Sequence, residues 1–190
     1  MSEVSFGSDG DFSHDRMLQK VNTNLANELG NLCQRTLSMV FKNCDKAVPT
    51  EIGAYTEKDK AILSRASGLR EEAGLAISTQ AIHKYVDAMV SMIWDANKYV
   101  DEMEPWSLKK TDPDRMATVL YVLLEVIRHA AILYQPLIPA SANKILDQLN
   151  IPSDERTFAH LDSCAIKFGV PLSKPQGIFP RLEADVEVHK

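Results

Sequence analysis

Apolar residues recur at three- and four-residue steps from about His14 to Lys42, through Val21, Leu25, Leu29, Leu32 and Val40. That period predicts one long α-helix, a rod of roughly 40 Å at 1.5 Å per residue. Ahead of it, residues 1–13 are polar and glycine-rich, an extended entry in which Asp11 or Ser13 is placed to cap the helix. Asn43 to Thr56, with Pro49 and Gly53, reads as a connection. Thr56-x-x-Asp59 has the form of a capping box and opens a second helix, expected to fade near Gly74. Ser78 or Thr79 is expected to start a third, where Ile82, Val86, Met89, Ile93, Ala96 and Val100 form an unbroken seam. This helix must stop before Pro105. Asp112-Pro113 combines an N-cap with proline at the first helical position. The helix it opens, to about Tyr134, is apolar on most sides and is expected to be the buried centre. Pro139 opens a short amphipathic helix through Ala142, Ile145 and Leu149, and from Pro152 the chain is turn-rich and punctuated by proline. No alternating strand pattern and no repeat is present. The expected fold is all-α, a helical bundle with an extended C-terminal arm.

Composition narrows the class. The chain's 190 residues suffice for one core, and 45% of them are hydrophobic, too many for a disordered chain. Twenty-one Lys+Arg against 26 Asp+Glu leave a net charge of −5. That opposes nucleic-acid binding by bulk positive charge, though not a local site that reads shape and base edges. Cys33, Cys44 and Cys164 make no C-x-x-C and leave one unpaired in any disulfide scheme. With no signal-like start, reduced thiols and a cytoplasmic location are expected. No Cys/His pair has ligand spacing, so no metal site is expected. The most apolar run, Met116 to Leu124, ends at Glu125 and is too short to span a bilayer.

Two constellations carry candidate chemistry. On a wheel of about 100° per residue, Lys20, Asn24, Asn27, Asn31, Arg35 and Lys42 fall along one stripe of the first helix, with only Glu28 intruding. Asparagine is a poor residue for a helix interior, yet its amide, like the arginine fork, can make paired hydrogen bonds to base edges. The competing reading is a polar seam between helices, which periodicity alone favours. The second constellation is Ala96-Asn97-Lys98-Tyr99 followed by Glu104-Pro105-Trp106. A tryptophan just after a helix-breaking proline sits at a corner, where it either fills a gap or offers a platform for an unpaired base. Lys109 and Lys110 follow as phosphate contacts or as a solvated turn.

Catalytic signatures are missing. The sequence has no phosphate-cradling glycine loop with its lysine, no H-E-x-x-H and no G-x-S-x-G. His14-Asp15 lacks the upstream histidine of a metal phosphohydrolase, and Asp15 suits a helix's first turn. Glu71 and Glu72 are adjacent and point to different faces. His83, His129, His160 and His189 have no evident partners in the pattern.

Taken together, the segment Asn24 to Arg35, the Ala96–Tyr99 block about seventy residues on, and Glu104-Pro105-Trp106 resemble the anticodon-binding domain of bacterial-type methionyl-tRNA synthetases. Pro136-Leu137-Ile138-Pro139 with Ala142 and Ile145 is similar to a block shared with the leucine, isoleucine and valine enzymes. Phe6 to Ser13 and Ile178 to Glu183 also resemble the methionine enzyme, so the likeness covers nearly the whole chain.

The resemblance implies a class I synthetase bundle in three parts. Residues 1–13 would be the end of a segment from the catalytic domain, 14–150 the bundle, and 151–190 a short helix and tail, which from about Gly169 folds back toward the catalytic domain. Asn31 and Arg35 match residues that read the CAU anticodon of methionine tRNA, and Trp106 matches the tryptophan on which an anticodon base stacks. Lys20, Asn24, Asn27 and Lys109 are further candidates for tRNA contact. Gly30 is expected to let a neighbouring helix approach closely. The family's HIGH-like and KMSKS-like signatures are absent. ATP and methionine are therefore expected to bind a catalytic domain outside this chain, as is any metal knuckle, and the chain alone is expected to be inactive. The expected partners are methionine tRNA and that catalytic domain or subunit, with no membrane. The competing reading is a protein-interaction module that docks on a catalytic subunit without reading tRNA.

Overall fold

The computed structural model describes residues 13–163 and 165–183. Cys164, His189 and the Phe6–Phe12 motif lie outside them. The described residues form α1 (His14–Lys20), a π-helical segment (Val21–Gly30), α2 (Asn31–Asn43), α3 (Glu57–Ser78), α4 (Ile82–Met103), α5 (Pro105–Thr111), α6 (Pro113–Tyr134), α7 (Pro139–Gln148), a 3₁₀ turn (Ser153–Glu155) and α8 (His160–Ser163). The expected all-α bundle with a C-terminal arm is what forms.

The centre is α6. Asp112 accepts a hydrogen bond from the Arg115 amide at 3.0 Å, Pro113 follows, and 18 of the helix's 22 residues are buried. Among the described residues α6 is also the helix long and apolar enough to cross a membrane, but 94% of that window is buried inside the bundle. It is the core helix, packed by α3, α4, α2 and α7.

Helix boundaries follow capping chemistry, and two differ from expectation. The capping box at Thr56 is formed in both directions, Asp59 N–H to Thr56 Oγ1 at 3.4 Å and Thr56 N–H to Asp59 Oδ2 at 2.8 Å. The helix it opens does not fade at Gly74 but runs to Ser78, because one glycine costs only about 1 kcal/mol. Ser78 and Thr79 do not start the next helix. Their hydroxyls donate back to the Leu75 carbonyl at 2.9 and 2.8 Å, satisfying an end of α3, and α4 begins at Ile82 after Gln80 turns with φ +57°.

The first rod is continuous but not uniform. Ten residues, VNTNLANELG, wind as a π-helix, in a stretch whose asparagines, threonine and glycine bind weakly to α geometry. Bonding to i+5 turns fewer degrees per residue, so the single stripe expected from Lys20 to Lys42 breaks at this segment. Asn31, Arg35 and Lys42 share α2; Asn24 and Asn27 belong to the π-wound stretch, and Lys20 ends α1 on its far side.

The C-terminal arm meets that segment. From the α2–α3 connection, where Val48 N–H donates to Val170 O at 2.9 Å and Leu172 N–H to Lys46 O at 2.8 Å, the arm crosses the bundle. Gln148 exchanges two hydrogen bonds with Gln176, at 2.8 and 3.1 Å. The arm then reaches the π segment, where the Asn22 amide both donates to and accepts from the Leu182 backbone at 2.8 Å. Gly30 accommodates this arm and not a neighbouring helix: a Cβ there would lie 3.5 Å from Phe179 and 3.1 Å from Leu25 O, the π-turn's own carbonyl. Gly30→Ala is therefore expected to cost about 1–3 kcal/mol as an overpacked site. Thermal unfolding should show a midpoint about 5 °C lower; an unchanged midpoint would mean the Leu25 carbonyl gives way to the methyl without cost.

Two histidines have partners that the pattern hid. His129 Nδ1 lies 2.9 Å from the Glu125 carbonyl and His160 Nδ1 2.8 Å from Thr157 Oγ1. Buried Glu125 pairs with Arg128 at 3.0 Å and accepts the Ile166 N–H, stapling the arm to α6.

Candidate nucleic-acid interface

Asn31 is the first residue of α2 and Arg35 follows one turn later, so both face solvent from one side. The last turn of α4 delivers Asp101, whose carboxylate accepts from Arg35 Nη2 at 2.9 Å. Pro105 ends α4, and the chain reverses through Glu104 in the left-handed region, φ +43°. Pro105 takes the first position of a new helix, where its missing N–H is harmless, so the corner that carries Trp106 is the opening turn of α5. Pro105 is buried while Trp106 remains 44% exposed.

These elements meet at Arg35. Its guanidinium carbon lies 5.4 Å from the Trp106 ring centroid, a cation–π distance. Asp101 fixes one edge of the fork and Trp106 covers one face. Only one of five N–H donors is used by that ion pair, so the fork is oriented yet still able to donate. The structure thus brings together Arg35 and Trp106, with Asn31 a turn away on the same helix. Lys109 is exposed three residues beyond Trp106 on α5. Lys20, Asn24 and Asn27 lie upstream, Lys20 and Asn27 exposed and Asn24 half-buried.

Other motif residues have structural work. Asn97 donates to Glu28 Oε2 at 2.9 Å and to the Glu28 carbonyl at 3.3 Å, tying α4 to the π segment. Ala96 is buried. Tyr99 donates its hydroxyl to Asp59 Oδ1 at 2.5 Å. Asp59 has no exposed surface and receives both arms of the Arg115 fork, at 2.6 and 2.7 Å. Arg115 also lies 3.4 Å from the Met103 sulfur, so this network clamps the last turns of α4 to the starts of α3 and α6, directly behind the Trp106 corner. Burial would raise the Asp59 pKa, but Arg115, Tyr99 and the Thr56 cap outweigh it and hold the carboxyl at about 2. Asp101, Asp59 and Arg115 had no signal as a set in the sequence; only the capping box marked Asp59. Among the described residues no group of three or more His, Cys, Asp or Glu is arranged to hold a metal ion.

Comparison with known proteins places this geometry in a family. Residues 48–189 match the family described as the anticodon binding domain of methionyl tRNA ligase, and residues 1–37 match class I tRNA synthetases of the methionine type. Asn31 and Arg35 fall in the second match and Trp106 in the first, so the corner is assembled from both. The chain is 48% identical to the methionine–tRNA ligase of Brucella suis over 97% of its own length and 36% of that protein. It is 43% identical to that of Rickettsia felis over 98% of its length and 37% of that protein. The chain thus spans just over a third of the curated relatives it matches. The crystal structure of free Mycobacterium tuberculosis methionyl-tRNA synthetase superposes with a TM-score of 0.92 at 44% identity, covering 96% of this chain and 37% of that one. The chain belongs to the family of methionyl-tRNA ligase anticodon-binding domains.

Proposed function

We propose that this chain recognises the CAU anticodon of methionine tRNA, as the tRNA-reading part of an enzyme that attaches methionine to tRNA with ATP. The observation that carries the reading is the Arg35 guanidinium, held between Asp101 and the exposed Trp106 ring. An arginine only donates, so Arg35 pairs with ring nitrogens and carbonyl oxygens of an unpaired base. An asparagine amide offers two donors and an acceptor, so Asn31 suits the mixed edges of C, A or U. Trp106 supplies a stacking surface for a splayed base. Lys20, Asn24, Asn27 and Lys109 are proposed as flanking contacts to the loop. Methionine activation and acyl transfer belong to the catalytic domain of that enzyme, where ATP and methionine bind, and its tRNA partner places it in the cytoplasm.

Few phosphate contacts and a net charge of −5 make selectivity, not bulk attraction, the expected source of affinity. Titration of the chain with a CAU anticodon stem-loop, and with loops carrying leucine, isoleucine or valine anticodons, should show preference for CAU. The logarithmic salt slope should be shallow, with about 0.7 contributed per phosphate contact. Equal affinity for all four loops with a steep slope would contradict anticodon reading.

A further inference from the structure

Trp94 on α4 is more exposed than Trp106, at 54%, although its neighbours Met92, Ile93 and Ala96 are buried in the core. Trp94, Lys98 and Asp101 follow at i, i+4 and i+7, one face of the helix. An open groove of about 620 Å³ lies against them, lined by Glu28, Trp94, Lys98, Asp101 and Glu102. Asp101 is also the partner of Arg35, so the groove runs into the Arg35–Trp106 corner. Seven residues of helix put Trp94 about 10 Å from Asp101 along the axis.

The charges of the groove are unevenly committed. Glu28 accepts from Asn97 at 2.9 Å, Asp101 from Arg35 at 2.9 Å, and Glu102 from Lys58 at 2.6 Å. Lys98 comes only to 3.9 Å of Glu102, and its side chain is 76% exposed. A cationic ligand would meet Asp101 and Glu102 already paired with cations, and Glu28 bonded to the neutral Asn97 amide with its charge intact. A nucleotide would meet a bare indole face and a loosely held ammonium.

We propose that Trp94 and Lys98 form a second nucleotide subsite, in which Trp94 stacks on the unpaired base flanking the anticodon triplet and Lys98 holds its phosphate. This rests on the reading that the Arg35–Trp106 corner binds the anticodon loop. Among the described residues that line the groove none is an arginine, an asparagine or a glutamine, and stacking alone tolerates any base. The subsite therefore adds affinity without adding selectivity.

The test measures dissociation constants of the full chain for CAU and altered-anticodon stem-loops, and for CAU loops made abasic at either flanking position. Trp94→Ala should weaken CAU and altered loops alike, by about tenfold, with Trp94→Phe restoring most of the loss. Lys98→Ala should reduce the salt slope by about 0.7. One abasic loop should bind wild type as weakly as the intact loop binds Trp94→Ala, with no further loss when the two changes are combined. If Trp94→Ala binds like wild type while Trp106→Ala is weakened, the subsite is overturned and anticodon reading stands. If neither variant is weakened, the reading beneath it fails as well. Additive losses for Trp94→Ala and both abasic loops would overturn the assignment of the base.

Discussion

Arg115→Met is expected to lower the thermal midpoint by about 10 °C. The substitution keeps the aliphatic stem but removes the fork that meets Asp59 at 2.6 and 2.7 Å, leaving a fully buried carboxylate without its cation. Breaking one side of a buried pair costs about 3–5 kcal/mol, and a chain of this size loses about 2–4 °C per kcal/mol. The pH dependence gives the mechanism its signature. Asp59 is held at about 2 in the fold against an ordinary 3.8, so folding favours its charged form. That contribution, about 2 kcal/mol at 1.36 kcal/mol per pKa unit, is fully present above pH 4 and is lost as the pH falls through 4 toward 2. Without Arg115, burial drives the Asp59 pKa above its unfolded value, so the variant should begin to close its gap to wild type above pH 4, as its own carboxyl protonates, and close it further below pH 4 as wild type loses its contribution. Urea unfolding of both proteins between pH 7 and 3 measures this. A constant gap across that range would show that the Arg115–Asp59 pair is not the source of the loss.

Trp106→Ala is expected to weaken binding of the CAU stem-loop by about tenfold or more. A base–aromatic stack is worth about 1–3 kcal/mol. Trp106 differs from an isolated platform because Arg35 lies over its ring at 5.4 Å while Asp101 holds the same guanidinium. Trp106 also covers a face of the Arg35 guanidinium, so losing the ring loses both the stack and part of what orients the Arg35 donors. The loss should fall mainly on the cognate loop, since a loop that Arg35 does not recognise has only the stack to lose. Stability should change little, because the ring is 44% exposed and a surface cation–π contact is worth about 0.5–1 kcal/mol. Fluorescence anisotropy with the two loops, beside a melting curve, separates the effects; equal loss on both loops would reduce Trp106 to a non-selective platform.

The parts of the molecule that depend on local chemistry could be read from the sequence. Asp112-Pro113 marks the start of α6, its unbroken apolar run marks it as central, and Thr56-x-x-Asp59 marks the start of α3. What escaped depends on geometry that a 100° wheel assumes. The π winding of Val21–Gly30 separates Lys20, Asn24 and Asn27 from the stripe that includes Asn31 and Arg35. Pro105 was legible as a stop for α4 but equally opens α5, because a proline suits a helix's first turn as well as it blocks an interior. Asp101 and Arg115 escaped for a different reason. Their partners, Arg35 and Asp59, lie 66 and 56 residues away, and no periodicity connects them. Among the asparagines of the first rod, Asn31 of the stripe stays exposed beside Arg35, while Asn22, which lies off the stripe, binds the C-terminal arm.

The central claim is that Arg35 reads a base edge, and one ratio tests it. The dissociation constant for the CAU stem-loop is divided by that for a loop with an altered anticodon, in wild type and in Arg35→Ala. The account predicts that Arg35→Ala weakens CAU binding by about tenfold or more, leaves the altered loop nearly unchanged, and so moves the ratio toward one. A ratio that stays at its wild-type value, with both loops weakened equally, would make Arg35 a general phosphate contact and contradict the account.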